Sequence, residues 1–438
     1  MANQIKNQTE ILKKLNIYQL NRMQEEAIEL IDQNENTIIL SPTGTGKTLA
    51  FLLPLIARLD PSIRDIQAVI VVPSRELAIQ IEQVIRVMGS GYKVNAIYGG
   101  RAISKDKIDL KTTPSILIGT PGRLSDHFSK GRFTTEQVKT LVIDEFDISF
   151  EVGAGGDMQG IINSLSNVTK KVLTSATKEM ELPSYIQMDK AHILNYLSEK
   201  KETKLTLKTV ISTSKNKHNS LLELLHFLGN VPGIVFCNKK DSLENLSSFL
   251  KKKKIIHTCF HAGIDQKERE RALIKLRNGS ATILLASDLA SRGIDIPEMK
   301  YIIHYEIPEG IEEFTHRNGR TARVNSKGMA YMLKWNKESL PDFIGKAAVQ
   351  NIDTKHELKE PFWETLFISG GRKDKISKGD IAGLFFKQGN INKDQLGVIE
   401  LKSDCAFVAV PKSISEKLIG RLNNTKLKKK KVRVKILN

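Results

Sequence analysis

Cysteine is scarce in this chain: three in 438 residues, Cys237, Cys259 and Cys405, with no CxxC pair. That excludes a disulfide framework and a cysteine-held zinc, and it reads as a chain of a reducing compartment, with the cytoplasm as the expected location. Long apolar runs are missing too. The longest, 49–57, has nine residues and contains Pro54, too short to cross a bilayer. The opening stretch MANQIKNQTE is polar and carries no signal-peptide core, so no membrane partner is expected. Wholesale disorder is excluded by 40% hydrophobic and 26% charged residues. The length calls for two or three separate cores.

Positive charge is abundant but uneven. Lys and Arg number 67 against 49 Asp and Glu, a formal charge of +18. Residues 361–438 hold 17 Lys and Arg against 7 Asp and Glu and so carry +10 of it. A basic module is attached to a near-neutral engine, and such a module suits a polyanion. Within the engine, 198–217 (SEKKETKLTLKTVISTSKNK) is rich in Lys, Ser and Thr and weakly periodic, which reads as a linker. The expected division is a first domain over 1–200, a linker over 201–217, a second domain over 218–360 and a C-terminal domain over 361–438.

Both engine pieces alternate short apolar runs with helical patterns. The runs are TIIL, AVIVV, SILIG, TLVI and KVLT in the first, and GIVFC, TILLA, YIIHY and MAYML in the second. Unbroken Val/Ile/Leu runs indicate strands buried on both faces, as in parallel α/β sheets. Ligands of such sheets bind beyond the carboxyl ends of the strands.

At those ends sit groups with chemistry. SPTGTGKT (41–48) follows TIIL. Its Gly44 and Gly46 let backbone N–H groups wrap phosphates, with Thr43 and Thr45 between them; Lys47 can neutralise the terminal phosphates and Thr48 can ligate Mg²⁺. DEFD (144–147) follows TLVI; Asp144 would hold Mg²⁺ through water, and Glu145 would polarise an attacking water. SAT (175–177) offers Ser175 and Thr177 hydroxyls to that acidic motif. PSREL and TPGR supply Arg75 and Arg123 at two further strand ends, consistent with a surface that follows a polyanion. In the second piece, SDLASRGIDIP carries Arg292 and Asp295, and HRNGRTAR carries Arg320 and Arg323. Placed on a helix, those two arginines share a face and suit a transferring γ-phosphoryl.

In this order the motifs resemble the DEAD-box RNA helicases of superfamily two, over about 340 residues from Gln24 onward. The tetrad has Phe146 where that family usually has Ala, and Ile17 stands at its upstream aromatic position. The resemblance implies two tandem RecA-like domains with parallel sheets that close together on ATP, Mg²⁺ and RNA. It implies that Gln24 reads adenine and Asp295 touches the nucleotide, and that Asp147, Ser175, Thr177 and His316 couple nucleotide to RNA. RNA contacts are implied for Arg75, Gly99, Gly100, Thr120, Gly122, Arg123, Gln266, Arg269, Ser287 and Arg292.

The last 78 residues read βαββαβ, the order of an RRM-like α+β domain. They resemble the RNA-binding domain of DbpA-like bacterial helicases, which implies an address on a large-subunit rRNA hairpin. Phe367 and Phe407 stand on the RNP-like strands, while Cys405 replaces an aromatic there. Binding is therefore expected from basic loops, through Arg372, Lys373 and the run Lys428, Lys429, Lys430 and Lys431, unless that run is simply a solvated turn. Lys251–Lys254 reads as a solvated face, and Trp335 and Trp363 as core or domain-packing residues. No heptad or apolar stripe suggests an oligomer, so a monomer is expected. The reading is an RNA-stimulated ATPase that unwinds locally; an ATP-gated RNA clamp would use the same residues, and a DNA-acting enzyme is the weaker third option.

Overall fold

In the computed structural model, residues 6–151, 155–177, 181–197, 205–288, 296, 299–321, 327–353 and 356–437 are described. The chain divides into two compact units, one formed mainly by residues up to 202 and the other beginning at residue 203.

The first unit is built on seven strands: β1 (Asn36–Leu40), β2 (Ala68–Val71), β3 (Val94–Ile97), β4 (Ile116–Gly119), β5 (Thr140–Ile143), β6 (Lys170–Ser175) and β7 (His192–Asn195). They lie in the order β3-β4-β2-β5-β6-β1-β7, and every pair is parallel. Alternate side chains enter opposite cores. Ile70 joins Ile116, Ile118 and the helix Lys47–Ala57 on one face, whereas Val69 and Val71 join Leu117 and Leu141 on the other. Both faces are dry, which is why the runs are continuous rather than alternating.

The second unit repeats the plan with β8 (Leu205–Ser212), β9 (Gly233–Cys237), β10 (His257–Phe260), β11 (Ile283–Ser287), β12 (Tyr301–His304), β13 (Gly328–Trp335) and β14 (Ala348–Val349). The order is β10-β11-β9-β12-β13-β8-β14, again parallel throughout. Strand β8 corrects the linker reading of 201–217. It pairs with β13 from Leu205↔Gly328 to Ser212↔Trp335. Its Lys and Thr residues disguised it because it lies next to the edge, where five of its eight residues are at least partly exposed.

The same unit contains the C-terminal α+β domain: β15 (Trp363–Ile368), β16 (Ile399–Leu401), β17 (Ala406–Pro411), the small hairpin β18 (Lys426–Leu427) and β19 (Lys430–Lys431), and β20 (Val434–Ile436). Its sheet has the antiparallel order β16-β17-β15-β20, with helices Lys378–Lys387 and Lys412–Leu422 between the strands. Leu366, Ile368, Val408, Val410 and Val434 face those helices and form its core.

Candidate nucleotide and nucleic-acid sites

The strand order of the first sheet sorts the motifs into two neighbouring groups. β1, β6 and β5 lie side by side, and their carboxyl ends lead into 41–48, 175–177 and 144–147. β2, β4 and β3 also lie side by side, and lead into 73–77, 120–123 and Gly99–Gly100.

In the first group the backbone is wound tightly. Gly44 and Gly46 have φ of 80° and 89°, a region that L side chains avoid. A Cβ on Gly46 would stand 2.4 Å from Gln24 Nε2. Gln24 is itself locked to the loop: its Nε2 donates to the Gly46 carbonyl at 3.2 Å, and neighbouring Asn21 donates to the Thr45 carbonyl at 3.0 Å. The Ser41 N–H donates to the Ser175 carbonyl at 3.0 Å, tying the loop to β6. Lys47 opens the helix Lys47–Ala57 and donates to the carbonyls of Ser41 and Pro42. Burial pulls its ammonium below the usual lysine range, opposed by the charges of Asp144, Glu145 and Asp147.

The acids are equally constrained. Asp144 is buried, and its Oδ1 accepts from the Thr174 hydroxyl and, at 3.1 Å, from the Glu145 N–H. Burial pushes its carboxyl up; the Thr174 hydrogen bond and the Lys47 charge pull it down. Glu145 sits at φ 50°, a left-handed conformation that costs a side chain about 1–2 kcal/mol and so marks a position held by its surroundings. Phe146 is buried in the core beneath the sheet and packs against Phe150, so the bulky residue points away from the loop. Thr177 Oγ1 donates to Asp147 Oδ2 at 2.9 Å, while Ser175 Oγ accepts from the Thr177 N–H at 2.9 Å. The acidic and SAT motifs are thus directly bonded.

In the second group an acid that the sequence reading missed does the organising. Asp106, fully buried on the short helix Ile103–Asp109, accepts from Arg123 Nε at 2.7 Å, pairs with Arg101 Nε at 2.8 Å and lies 3.2 Å from His127 Nε2. Arg123 also donates to the Arg101 carbonyl at 2.5 Å. Thr120 stands at the N-cap position of the helix Pro121–Ser129 without a side-chain capping bond, and Gly122 within that helix lies close to Asp157. Arg75, at the start of the helix Arg75–Met88, lies against the two glycines: a Cβ on Gly100 would stand 2.3 Å from its Nη1.

In the second unit a buried arginine plays the organising part. Arg317, 0% exposed, donates to Asn238 Oδ1 at 2.7 Å and to the Glu306 carbonyl at 2.9 Å, and forms an ion pair with Asp288. It ties together the ends of β9, β11 and β12. His316 and Arg320 are buried beside it, and Ser287 ends β11. The helix expected to carry both Arg320 and Arg323 ends at Asn318, with Gly319 as its cap; Arg320 therefore lies beyond it, and the shared helical face is corrected. Arg292, Asp295 and Arg323 lie outside the described residues. Gln266 and Arg269 occupy the first turn of the helix Gln266–Arg277, with Arg269 over the Phe260 ring. In the C-terminal domain, Arg372, Lys373, Lys428, Lys429 and Lys431 are exposed, whereas Lys430 pairs with Asp374 at 2.8 Å and Lys428 with Asp380 at 2.7 Å.

These two parallel-sheet domains, a phosphate loop beside paired acids and a third, basic domain define an ATP-hydrolysing motor with an attached nucleic-acid module. The known protein families agree. Residues 21–183 match the DEAD/DEAH box helicase family, 216–325 the helicase conserved C-terminal domain and 365–436 the DbpA RNA binding domain. The DEAD-box ATP-dependent RNA helicase CshC of Bacillus cereus is 31% identical, covering 81% of this chain and 92% of its own. The ATP-dependent RNA helicase DbpA of Escherichia coli is 28% identical over 97% of this chain and 96% of its own. Among solved structures, S. cerevisiae Dbp5 bound to RNA and ADP BeF3 superposes with a TM-score of 0.68 at 25% identity, covering 79% of this chain and 94% of that one. The chain belongs to the DEAD-box ATP-dependent RNA helicases, of the DbpA type.

Proposed function

We propose that this helicase is a cytoplasmic monomer that unwinds short stretches of structured RNA, directed by its C-terminal domain to large-subunit rRNA during ribosome assembly. The observation that carries the motor reading is the bonded path Lys47 loop–Ser175–Thr177–Asp147, which links the phosphate loop to the acidic motif. The address rests on the resemblance of the tail and on its exposed basic residues.

In this reading the N–H groups turned inward by Gly44 and Gly46 receive the phosphates, and Lys47 exchanges its carbonyl partners for phosphate oxygens. Thr43 and Thr45 line the loop, and Gln24 reads the base. The donor set suits Mg²⁺: Thr48 and Asp144 offer hard oxygens, and both described hydrogen bonds to Asp144 fall on Oδ1, leaving Oδ2 for the ion or its water. Held there, Mg²⁺ would supply positive charge to offset that of the phosphates. Glu145 orients the attacking water. Arg320 and Arg323 complete the site only on domain closure, so hydrolysis without RNA is slow. Arg75, Gly99, Gly100, Thr120, Gly122 and Arg123 in one domain, and Gln266, Arg269, Ser287 and Arg292 in the other, hold the RNA backbone; His316 joins Asp147, Ser175 and Thr177 in coupling.

Lys47→Ala and Glu145→Gln are expected to abolish RNA-stimulated ATP turnover, a loss of about 10³-fold or more; turnover at the native rate in either variant refutes the assignment. Substrate is tested by ATPase rate against poly(A), bulk rRNA and large-subunit rRNA fragments, for the native chain and Lys428→Ala/Lys429→Ala/Lys431→Ala. Selective activation by one fragment, lost in the variant, supports the address. Stimulated hydrolysis without displacement of short duplexes would favour the RNA clamp instead.

A further inference from the structure

The outer face of the C-terminal sheet is covered, and by the motor itself. Phe367 and Phe407, 5.8 Å apart and edge-on, share this face with Cys405 and Leu437, and all four pack with Ile274 of the helix Gln266–Arg277. Phe407 is 6% exposed and Leu437 3%. A polar rim surrounds this apolar centre. Arg277 grips Glu400 of β16 with two parallel bonds, Nε to Oε1 at 2.6 Å and Nη2 to Oε2 at 3.0 Å. Asn278 Nδ2 donates to Thr365 Oγ1 at 3.2 Å, and Ser280 Oγ lies 2.7 Å from the same hydroxyl. Gly279, at φ 72°, turns the chain so closely past Trp363 that a Cβ would lie 3.2 Å from its Cδ1. An apolar centre ringed by polar pairs is the anatomy of a specific interface, and bidentate Arg–carboxylate geometry fixes orientation as well as contact.

Phe407 is therefore unavailable for base stacking while this contact holds, and Phe367 is half-buried against it. The basic groups lie elsewhere: Arg372, Lys373 and Lys375 follow β15, and the β18–β19 hairpin joins them through Lys428 and Lys430. The mounted helix has its own polarity. Gln266 and Arg269, assigned above to RNA, occupy its first turn, and Arg277 its last. Twelve residues make a rod about 18 Å long.

We propose that the helix Gln266–Arg277 is a strut that fixes the spacing between RNA held by the basic rim of the C-terminal domain and RNA held by the motor, with the Arg277–Glu400 pair as its latch. This rests on the proposal that both ends bind RNA, and it deepens that proposal: the tail supplies a measured offset as well as an address. Arg277 and Glu400 are positioning residues and touch no substrate.

The test uses the full chain and RNA duplexes carrying single-stranded extensions of 5, 10, 15, 20 and 30 nucleotides, taken as probe lengths at which a fixed span gives an optimum and a loose one does not. The native protein is expected to displace strands fastest at one extension length, by about fivefold over the flanking lengths. Arg277→Glu should flatten that profile to within about twofold while leaving the poly(A)-stimulated ATPase rate in place, and Arg277→Glu/Glu400→Arg should restore the optimum by re-forming the pair with its signs exchanged. Hydrogen exchange at 363–368 and 406–408 should rise in the single variant and fall back in the double one. A profile that keeps its optimum in Arg277→Glu, despite raised exchange, overturns the strut alone. A native profile without an optimum, together with undiminished RNA binding by Lys428→Ala/Lys429→Ala/Lys431→Ala, overturns the address and the strut with it.

Discussion

The two halves of the first sheet's carboxyl edge hold their functional groups in different ways. On the β1–β6–β5 side the groups are fixed by their sequence neighbours and by the adjoining strand: glycines at positive φ, Lys47 on the carbonyls of its own loop, Thr177 on Asp147. On the β2–β4–β3 side the arginines are aimed by a residue outside any motif, Asp106, which gathers Arg101, Arg123 and His127. A small, compact ligand such as a triphosphate can be met by one tightly wound loop. An extended backbone needs cations held apart at fixed spacing, and a buried counter-charge does that by restricting their rotamers. The second unit inverts the sign, with Arg317 collecting Asp288 and Asn238.

The largest expected effect separates those halves. Asp106→Ala leaves two guanidinium groups around a buried hole without their acid; removal of one member of a buried ion cluster costs about 3–5 kcal/mol. Thermal melting should fall accordingly. Among molecules still folded at low temperature, the apparent affinity for RNA in the ATPase assay should drop about tenfold or more, while nucleotide affinity holds. Equal losses of both would show that the halves are one unit.

A smaller effect tests the inverted cluster through pH. His304 is buried beside Arg317, with Nε2 3.2 Å from Asn318 Oδ1; burial, and then the Arg317 charge, hold its imidazole down to about 3. The folded ring stays neutral at a pH where the unfolded one, near 6.5, takes a proton. The unfolded state is therefore favoured as pH falls from 6.5 toward 3, by about 1.4 kcal/mol per unit for this one group, and the stability is fully present above 6.5. The melting temperature of the native chain should decline between pH 7 and 5.5 more steeply than that of His304→Gln. Parallel slopes would remove His304 from the account. The nucleotide half offers a test of similar size. Thr177→Val deletes the described partner of Asp147 Oδ2. A hydrogen bond to a charged group contributes about 1.5–3 kcal/mol, so strand displacement should fall at least about tenfold, with basal nucleotide binding changed less than about threefold.

What was legible in the sequence follows the same division. The strand-end motifs could be read because a parallel sheet places them where short apolar runs stop, and chemistry and spacing lie together in the chain. The strand β8 was missed because a strand near the edge of a sheet tolerates Lys and Thr, which resemble linker composition. Asp106 gave no local signal, since an acid on a polar stretch looks like a surface charge until the fold buries it; Arg317 lay within HRNGRTAR, but its burial among strand ends was not legible there. The strands carrying Phe367 and Phe407 were legible as RNP-like, but the occupant of their face, Ile274, is distant in sequence. The paired arginines were placed on one helix by spacing alone, and Gly319 ended that helix too early.

The smallest effect sharpens the comparison most finely, because it moves one cation without substituting any charged residue. Gly100 stands at φ 81°, and a methyl group there would lie 2.3 Å from Arg75 Nη1 and 2.8 Å from its Cζ. The clash falls on the far end of a flexible side chain, so the guanidinium can move aside and the backbone bears mainly the left-handed strain, about 1–2 kcal/mol. Gly100→Ala should thus fold, melt slightly lower and bind nucleotide as before, with RNA affinity reduced about threefold to tenfold, one displaced phosphate contact. The loss should shrink in Arg75→Ala/Gly100→Ala relative to Arg75→Ala alone, because the arginine through which the glycine acts is already gone. If the two losses simply add, Gly100 serves the RNA backbone directly, and its closeness to Arg75 is only packing.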